Sequence, residues 1–263
     1  MELNIFMSEV FGTMLLILLG DGVVAGVLLA KSKANASGWI VITWAWAMAV
    51  FVGVFVAAGV GGALPLGNAH LNPAVTLGLL VNKGIAAGTW DFTYALIYVA
   101  GEFVGAMIGA FLVFLHYYPH WAETEDQGLK LAVFSTGPAI RNTTWNFVSE
   151  VIGTFVLMFA VLAIGNSVAL GGSPTGPGGG IGGAFTVGLI VLVIGLALGG
   201  TTGYAINPAR DLGPRIMHAI LPIPGKGGSD WGYSWIPVVG PLVGGVIATL
   251  VYQYMFLKMV VPA

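Results

Sequence analysis

Two tripeptides, Asn72-Pro73-Ala74 and Asn207-Pro208-Ala209, put the same chemistry at corresponding points of two similar halves. That chemistry is hydrogen bonding rather than bond making. Asn ahead of a helix is a good N-cap: its side-chain oxygen accepts a free backbone N–H, which leaves the amide nitrogen as a donor. Pro at the first helical position loses nothing, because that N–H has no intrahelical partner. The apolar segments they open, 73–81 and 208–220, are too short to cross a bilayer. A segment of about ten helical residues rises about 15 Å, half the hydrocarbon thickness, so each is expected to stop near the midplane. Each helix N-terminus also carries about half a positive charge. Two such ends meeting would repel cations and protons while offering donors to the oxygen of a neutral solute. A lone Asn-Pro is usually a turn or a plain helix start; the repetition sets these two apart.

Other chemistries lack their residues. There is no Cys, which excludes disulfides, thiolate metal sites and Cys nucleophiles. His116, His120 and His218 do not have metal-ligand spacing. No nucleophile–base pair or metal cluster stands out, so the reading is not an enzyme, with no cofactor and no metal. Charged residues form 8% of the chain, against roughly 25% in a soluble domain. With 57% apolar residues and 41 Gly among 263, this is an integral membrane protein whose apolar stretches suit helices rather than barrel strands. A net charge of -2 without any basic run argues against a nucleic-acid partner. The first apolar stretch begins at Leu3 without a basic n-region and reads as a retained helix rather than a cleaved signal.

The elements that position the tripeptides follow from apolar length. Six stretches, 3–30, 38–60, 91–117, 145–165, 182–200 and 235–257, are near or above the roughly 20 residues a span needs. The short segments fall between the second and third and between the fifth and sixth. A polar stretch, 119–144, joins a first repeat (1–118) to a second (145–263), and a Gly/Pro run, 171–183, reads as a flexible connector. Ser8-Glu9-Val10-Phe11-Gly12-Thr13 returns as Ser149-Glu150-Val151-Ile152-Gly153-Thr154. Gly101, Val104, Gly105 and Ile108 return at the same spacing as Gly240, Val243, Gly244 and Ile247. Glycines at that spacing let helices approach closely. Three crossings per half force opposite orientations, which is an inverted repeat with its site at the midplane. The expected fold is an all-α membrane protein with six transmembrane helices and two re-entrant half-helices, forming a single channel domain. The stretches leading into the tripeptides, 61–71 and 199–206, cannot be helical throughout, and such backbone survives at membrane depth only where it lines a cavity. Arg210, next after the second tripeptide, is a charge at that depth and points to function, as the cationic donor of a constriction.

Over its full length the chain resembles the major intrinsic protein family, the aquaporins and glycerol facilitators. The paired tripeptides, the Ser-Glu-Val-x-Gly-Thr repeats and the six spans carry the resemblance. It implies a passive multi-pass channel of the plasma membrane, with cytoplasmic termini, a pore in each protomer and a homotetrameric assembly. Motif matching implies a constriction of Trp46, Gly195, Tyr204 and Arg210. Trp44 lies two residues from Trp46, and matching Ala58-Gly59-Val60 to the family favours Trp46. Water-selective relatives usually place His where Gly195 falls; Gly leaves room for a carbon backbone. Asp211 also resembles the glycerol branch, whereas Tyr204 stands where many glycerol facilitators resemble Phe. The resemblance implies that the carbonyls of Asn68, Ala69, His70, Gly203 and Ala205 line the pore. It also implies that Glu9 and Glu150, which alone would suggest proton carriers, hydrogen-bond loop N–H groups. The solutes implied are glycerol, water and other small neutral molecules, including protonated small hydroxy acids, with ions and protons excluded. The alternatives are a water-selective channel and a proton-coupled secondary transporter. Two departures stand out: an insertion at 64–68, and Glu102, whose repeat partner is Pro241. Lys31 and Lys33 on one side and Lys83 and Lys258 on the other leave orientation undecided by charge.

Overall fold

The computed structural model describes residues 1–60, 65–67, 69–165 and 180–257. The first half is α1 (Glu2–Leu28), α2 (Trp39–Val60), α3 (Pro73–Ala87) and α4 (Phe92–His116). Two short helices follow, α5 (Tyr118–Glu123) and α6 (Gln127–Phe134). The second half is α7 (Thr143–Gly165), α8 (Gly180–Ala197), α9 (Pro208–Ile220) and α10 (Ile236–Val251), which runs on into a π turn, Tyr252–Phe256. The all-helical fold is as expected. Lys258 and most of the 171–183 connector lie outside the described residues.

Three details differ from the sequence-based expectation. Among the described residues, five helices are long and apolar enough to span: Glu2–Leu28, Trp39–Gly59, Phe92–His116, Thr143–Gly165 and Ile236–Phe256. The remaining predicted span is α8, whose 18 residues rise about 27 Å. It stops at Ala197 because the chain turns through Gly199 and Gly200 into the second tripeptide's approach. The first half-helix, expected over 73–81, continues to Ala87 and reaches about 22 Å. Polar side chains let it continue: Lys83 Nζ donates to the Pro65 carbonyl at 2.8 Å and pairs with Asp91 at 2.5 Å. Gly88, at φ 69°, ends it in the left-handed conformation that Gly adopts without steric penalty. Third, the polar stretch 119–144 holds α5 and α6 rather than loop alone, and Asp126 caps α6 by accepting from Gly128 and Leu129.

The repeats in sequence become repeats in packing. A Cβ on Gly105 would stand 2.4 Å from the Val10 carbonyl of α1, and one on Gly244 would stand 2.4 Å from the Val151 carbonyl of α7. Bare backbone therefore faces bare backbone in the pairs α1–α4 and α7–α10. The same seams place the two glutamates, since Gly101 faces Glu9 Cβ and Gly240 faces Glu150 Cβ. The half-helices are exchanged between halves: α3 packs on α10 and α9 packs on α4. Gly245 of α10 admits the Ala74 carbonyl, and Gly213 of α9 meets Ala106 of α4. Each half therefore carries the support for the other's tripeptide.

Candidate functional site

Both approaches to the tripeptides are built by one device. Ala69 and Leu71 have φ of 62° and 56°, and Tyr204 and Ile206, at the same two places before the second Asn, have 40° and 43°. Non-Gly residues in this region are strained, by about 1–3 kcal/mol each, unless the surroundings hold them. Two buried carboxylates do so. Glu9 accepts from the N–H of His70 at 2.9 Å and of Leu71 at 2.6 Å. Glu150 accepts from Ala205 at 3.0 Å, Ile206 at 2.8 Å and the Thr202 hydroxyl at 2.7 Å. Residues of both approaches line a cavity. Ala69, His70 and Ala205 line that cavity, with Leu71 and Ile206; Gly203 adjoins it at φ 85°, and Asn68 lies outside the described residues.

The tripeptides meet as caps and as cross-ties. Asn72 Oδ1 accepts from Ala74 at 2.9 Å, and Asn207 Oδ1 accepts from Ala209 at 3.0 Å and Arg210 at 3.2 Å. Pro73 and Pro208 stand at the first helical position in each. Asn72 Nδ2 donates to the Ile206 carbonyl at 2.8 Å, and Asn207 Nδ2 donates to the Leu71 carbonyl at 2.7 Å. A carboxamide has two N–H donors, so each Asn uses one to lash the halves together and keeps one for the cavity that both residues line.

The cavity is about 70 Å³, room for more than one water. The lining is mostly apolar, with Leu16, Val50, Val54, Leu157 and Val191 among its residues. Its polar members include Asn72, Asn207 and Arg210. Trp46, Tyr204 and Arg210 converge on it, with Arg210 Cζ 4.1 Å from the centroid of the Trp46 ring, the geometry of a cation–π pair. Trp46 is 4% exposed and lines the cavity, whereas Trp44 is 49% exposed and is not among the lining residues. Gly195 is not on the wall. A Cβ there would stand 2.9 Å from both Thr43 Cγ2 and Tyr204 Cζ, so the Tyr204 ring occupies the room the Gly leaves. Trp39 fixes that corner, donating to the Gly195 carbonyl at 3.0 Å and meeting the Tyr204 ring edge-on at 5.7 Å.

Charged residues around the site are tied. Asp211 accepts from the Thr136 N–H and hydroxyl, both at 2.7 Å, and from Arg215 at 2.8 Å. Arg215 also donates to the carbonyls of Ser229 and Thr136, which fastens the polar connection to α9. Glu102, unaccounted for in sequence, accepts from Thr76 at 2.7 Å, and Thr76 lies 2.8 Å from His70 Nδ1. His70 Nε2 lies 3.2 Å from the Leu66 carbonyl, and its ring stacks on Tyr98, whose hydroxyl donates to the Gly67 carbonyl. The described part of the 64–68 insertion is thus pinned to the first half-helix. One charged residue escaped the sequence reading altogether: Asp21 of α1 forms an ion pair with Arg210. Its sole signal in sequence is an acid between two glycines inside an apolar span.

Comparison with known proteins agrees with this geometry. Residues 2–252 match the family described as Major intrinsic protein. The chain is 51% identical over 247 residues to glycerol uptake facilitator protein 3 of Lactiplantibacillus plantarum, covering 94% of this chain and 95% of that one. It is 49% identical over 255 residues to a probable glycerol uptake facilitator of Thermotoga maritima, covering 97% and 100%. The X-ray structure of the aquaglyceroporin from Plasmodium falciparum superposes with a TM-score of 0.82 at 28% identity, over all of both chains. With its two exchanged half-helices and their carboxylate-braced approaches, the chain belongs to the major intrinsic protein family.

Proposed function

We propose that the protein is a passive channel for glycerol and similar small uncharged solutes, which also passes water and excludes ions and protons. The observation that carries this reading is the make-up of the cavity lining. A polyol has a hydrocarbon face and a hydroxyl face, and the cavity offers a mostly apolar lining with a few polar groups, Asn72, Asn207 and Arg210 among them. In this reading Trp46, Tyr204 and Arg210 form the constriction, and Gly195 admits the Tyr204 ring behind them. The two Asn form the centre, and the half-helix N-termini supply the positive barrier. Protonated small hydroxy acids fit the same description.

A proton-coupled transporter would need carboxylates free to load and unload. Glu9 and Glu150 instead each accept from two loop N–H groups, which supports a static, bracing role for them; Glu102, the third candidate carrier, accepts from Thr76 through one oxygen. The two repeats act as one channel domain, and the family resemblance supports a homotetramer in the plasma membrane. The outward apolar residues, Phe55, Phe92, Leu96 and Trp145 among them, suit contact with lipid or a neighbouring protomer. In reconstituted vesicles, glycerol flux should rise linearly with the gradient and ignore an imposed proton gradient. Saturating, proton-dependent flux would replace the channel with a transporter.

A further inference from the structure

Asp21 sits in the interior of α1 and is fully buried. Its Oδ1 lies 3.5 Å from Arg210 Nη1. Its Oδ2 is buried and has no hydrogen-bond partner among the described residues. A carboxylate at this depth is expensive unless it faces a cation. Other buried cations are committed elsewhere, Arg215 to Asp211 and Lys130 to the Pro224 carbonyl. The adjoining Gly20 is shaped to the same site: a Cβ there would stand 2.3 Å from Trp46 Cζ3. One turn of α1 therefore seats the Trp46 ring with a missing side chain and meets Arg210 with a carboxylate. The guanidinium carbon lies over the Trp46 ring, with one nitrogen toward Asp21.

We propose that Asp21 is a specificity-determining positioning residue that acts through Arg210. It holds the guanidinium back against Trp46, and so sets both the width and the net charge of the constriction. The inference rests on the reading of Trp46, Tyr204 and Arg210 as that constriction. Two consequences follow for charge. Asp21 and Arg210 together are neutral, so the positive barrier comes chiefly from the half-helix N-termini. Removing Arg210 alone does more than lose a cation, because it leaves an unpaired carboxylate beside the pore, which draws cations in. There is also a consequence for width. A guanidinium released from Asp21 swings toward the opening, which obstructs a polyol that fills the constriction more than it obstructs water.

The test uses the full chain in vesicles, as wild type, Asp21→Asn, Arg210→Ala and the double variant. Glycerol and water permeability are read by light scattering, and potassium leak by a flux dye. Asp21→Asn should lower the glycerol-to-water ratio about tenfold, the lower end of the scale of losing one charged hydrogen-bond partner. Arg210→Ala should raise potassium leak about tenfold, and the double variant should return it to within about twofold of wild type, since the unpaired carboxylate is then gone. An unchanged ratio in Asp21→Asn, or a double variant as leaky as Arg210→Ala, would overturn the proposal. If Asp21→Asn fails to assemble, the comparison of Arg210→Ala with the double variant and with Asp21→Glu, which keeps the charge and should keep the ion barrier, decides alone. Wild-type vesicles that pass no glycerol would overturn the channel reading, while the potassium arm would still report on the Asp21–Arg210 pair.

Discussion

At Gly195 a side chain is missing and a ring from another segment has taken its place. The Tyr204 ring packs where a Cβ would collide, with Thr43 closing the other side. In the proposed constriction the residue at 195 acts indirectly, through how far Tyr204 can lean away from the cavity. Gly195→His should drive Tyr204 toward the cavity, reducing glycerol permeability about tenfold or more while water changes by less than about threefold. Parallel stopped-flow measurements of the two solutes check this; equal loss of both would detach Gly195 from the constriction. Tyr204 itself carries a hydroxyl that is buried without a partner among the described residues. Removing such a group is close to neutral or stabilising. Tyr204→Phe should therefore keep or slightly raise the thermal unfolding midpoint in detergent, and a drop of several degrees would reveal a partner for that hydroxyl.

The approaches to the half-helices are tied to two buried glutamates that are not among the residues lining the cavity. Each brings two backbone N–H groups to one side while the alternate residues take left-handed φ. Converting one carboxylate to an amide puts an N–H where an acceptor is required, a loss of about 1.5–3 kcal/mol for a charged hydrogen-bonding group. Glu150→Gln should be more damaging than Glu9→Gln, because Glu150 also holds the Thr202 hydroxyl. Thermal unfolding of the two variants in the same detergent tests the order. The helix seams make a matched prediction: Gly105→Ala and Gly244→Ala, each meeting a carbonyl oxygen at 2.4 Å, should destabilise by similar amounts of about 1–3 kcal/mol. A large difference between them would show that the two halves do not share the work of packing equally.

For the molecule as a whole, sequence was most informative where the chain repeats itself. The paired tripeptides, the Ser-Glu-Val motifs and the spaced glycines each appear twice, and each pair occupies matching places in the bundle. The repeat is also where the energetics are local: a cap, a seam, a carboxylate facing one loop. What sequence could not show lies where residues far apart converge without a partner in the other half. Asp21 and Arg210 are 189 positions apart, and neither has a counterpart of its kind in the repeat. The Tyr204 ring behind Gly195 is a packing outcome, not a pattern. The extension of α3 past Val81 turns on Lys83 finding Asp91 and Pro65, contacts that hydrophobic periodicity does not encode.

The cross-ties bear on how such a chain is made. Asn72 donates to a carbonyl 134 residues later, and α3 leans on α10, the last long helix among the described residues. While the ribosome is still producing the second half, the first half-helix has neither its lateral support nor the acceptor for its amide. Synthesis must therefore carry a half-inserted intermediate whose central turn is unfinished, with polar backbone at bilayer depth that water or the insertion machinery has to satisfy. Maturation is complete only when α10 arrives, so truncations ahead of it should be cleared by quality control rather than accumulate as a half-channel.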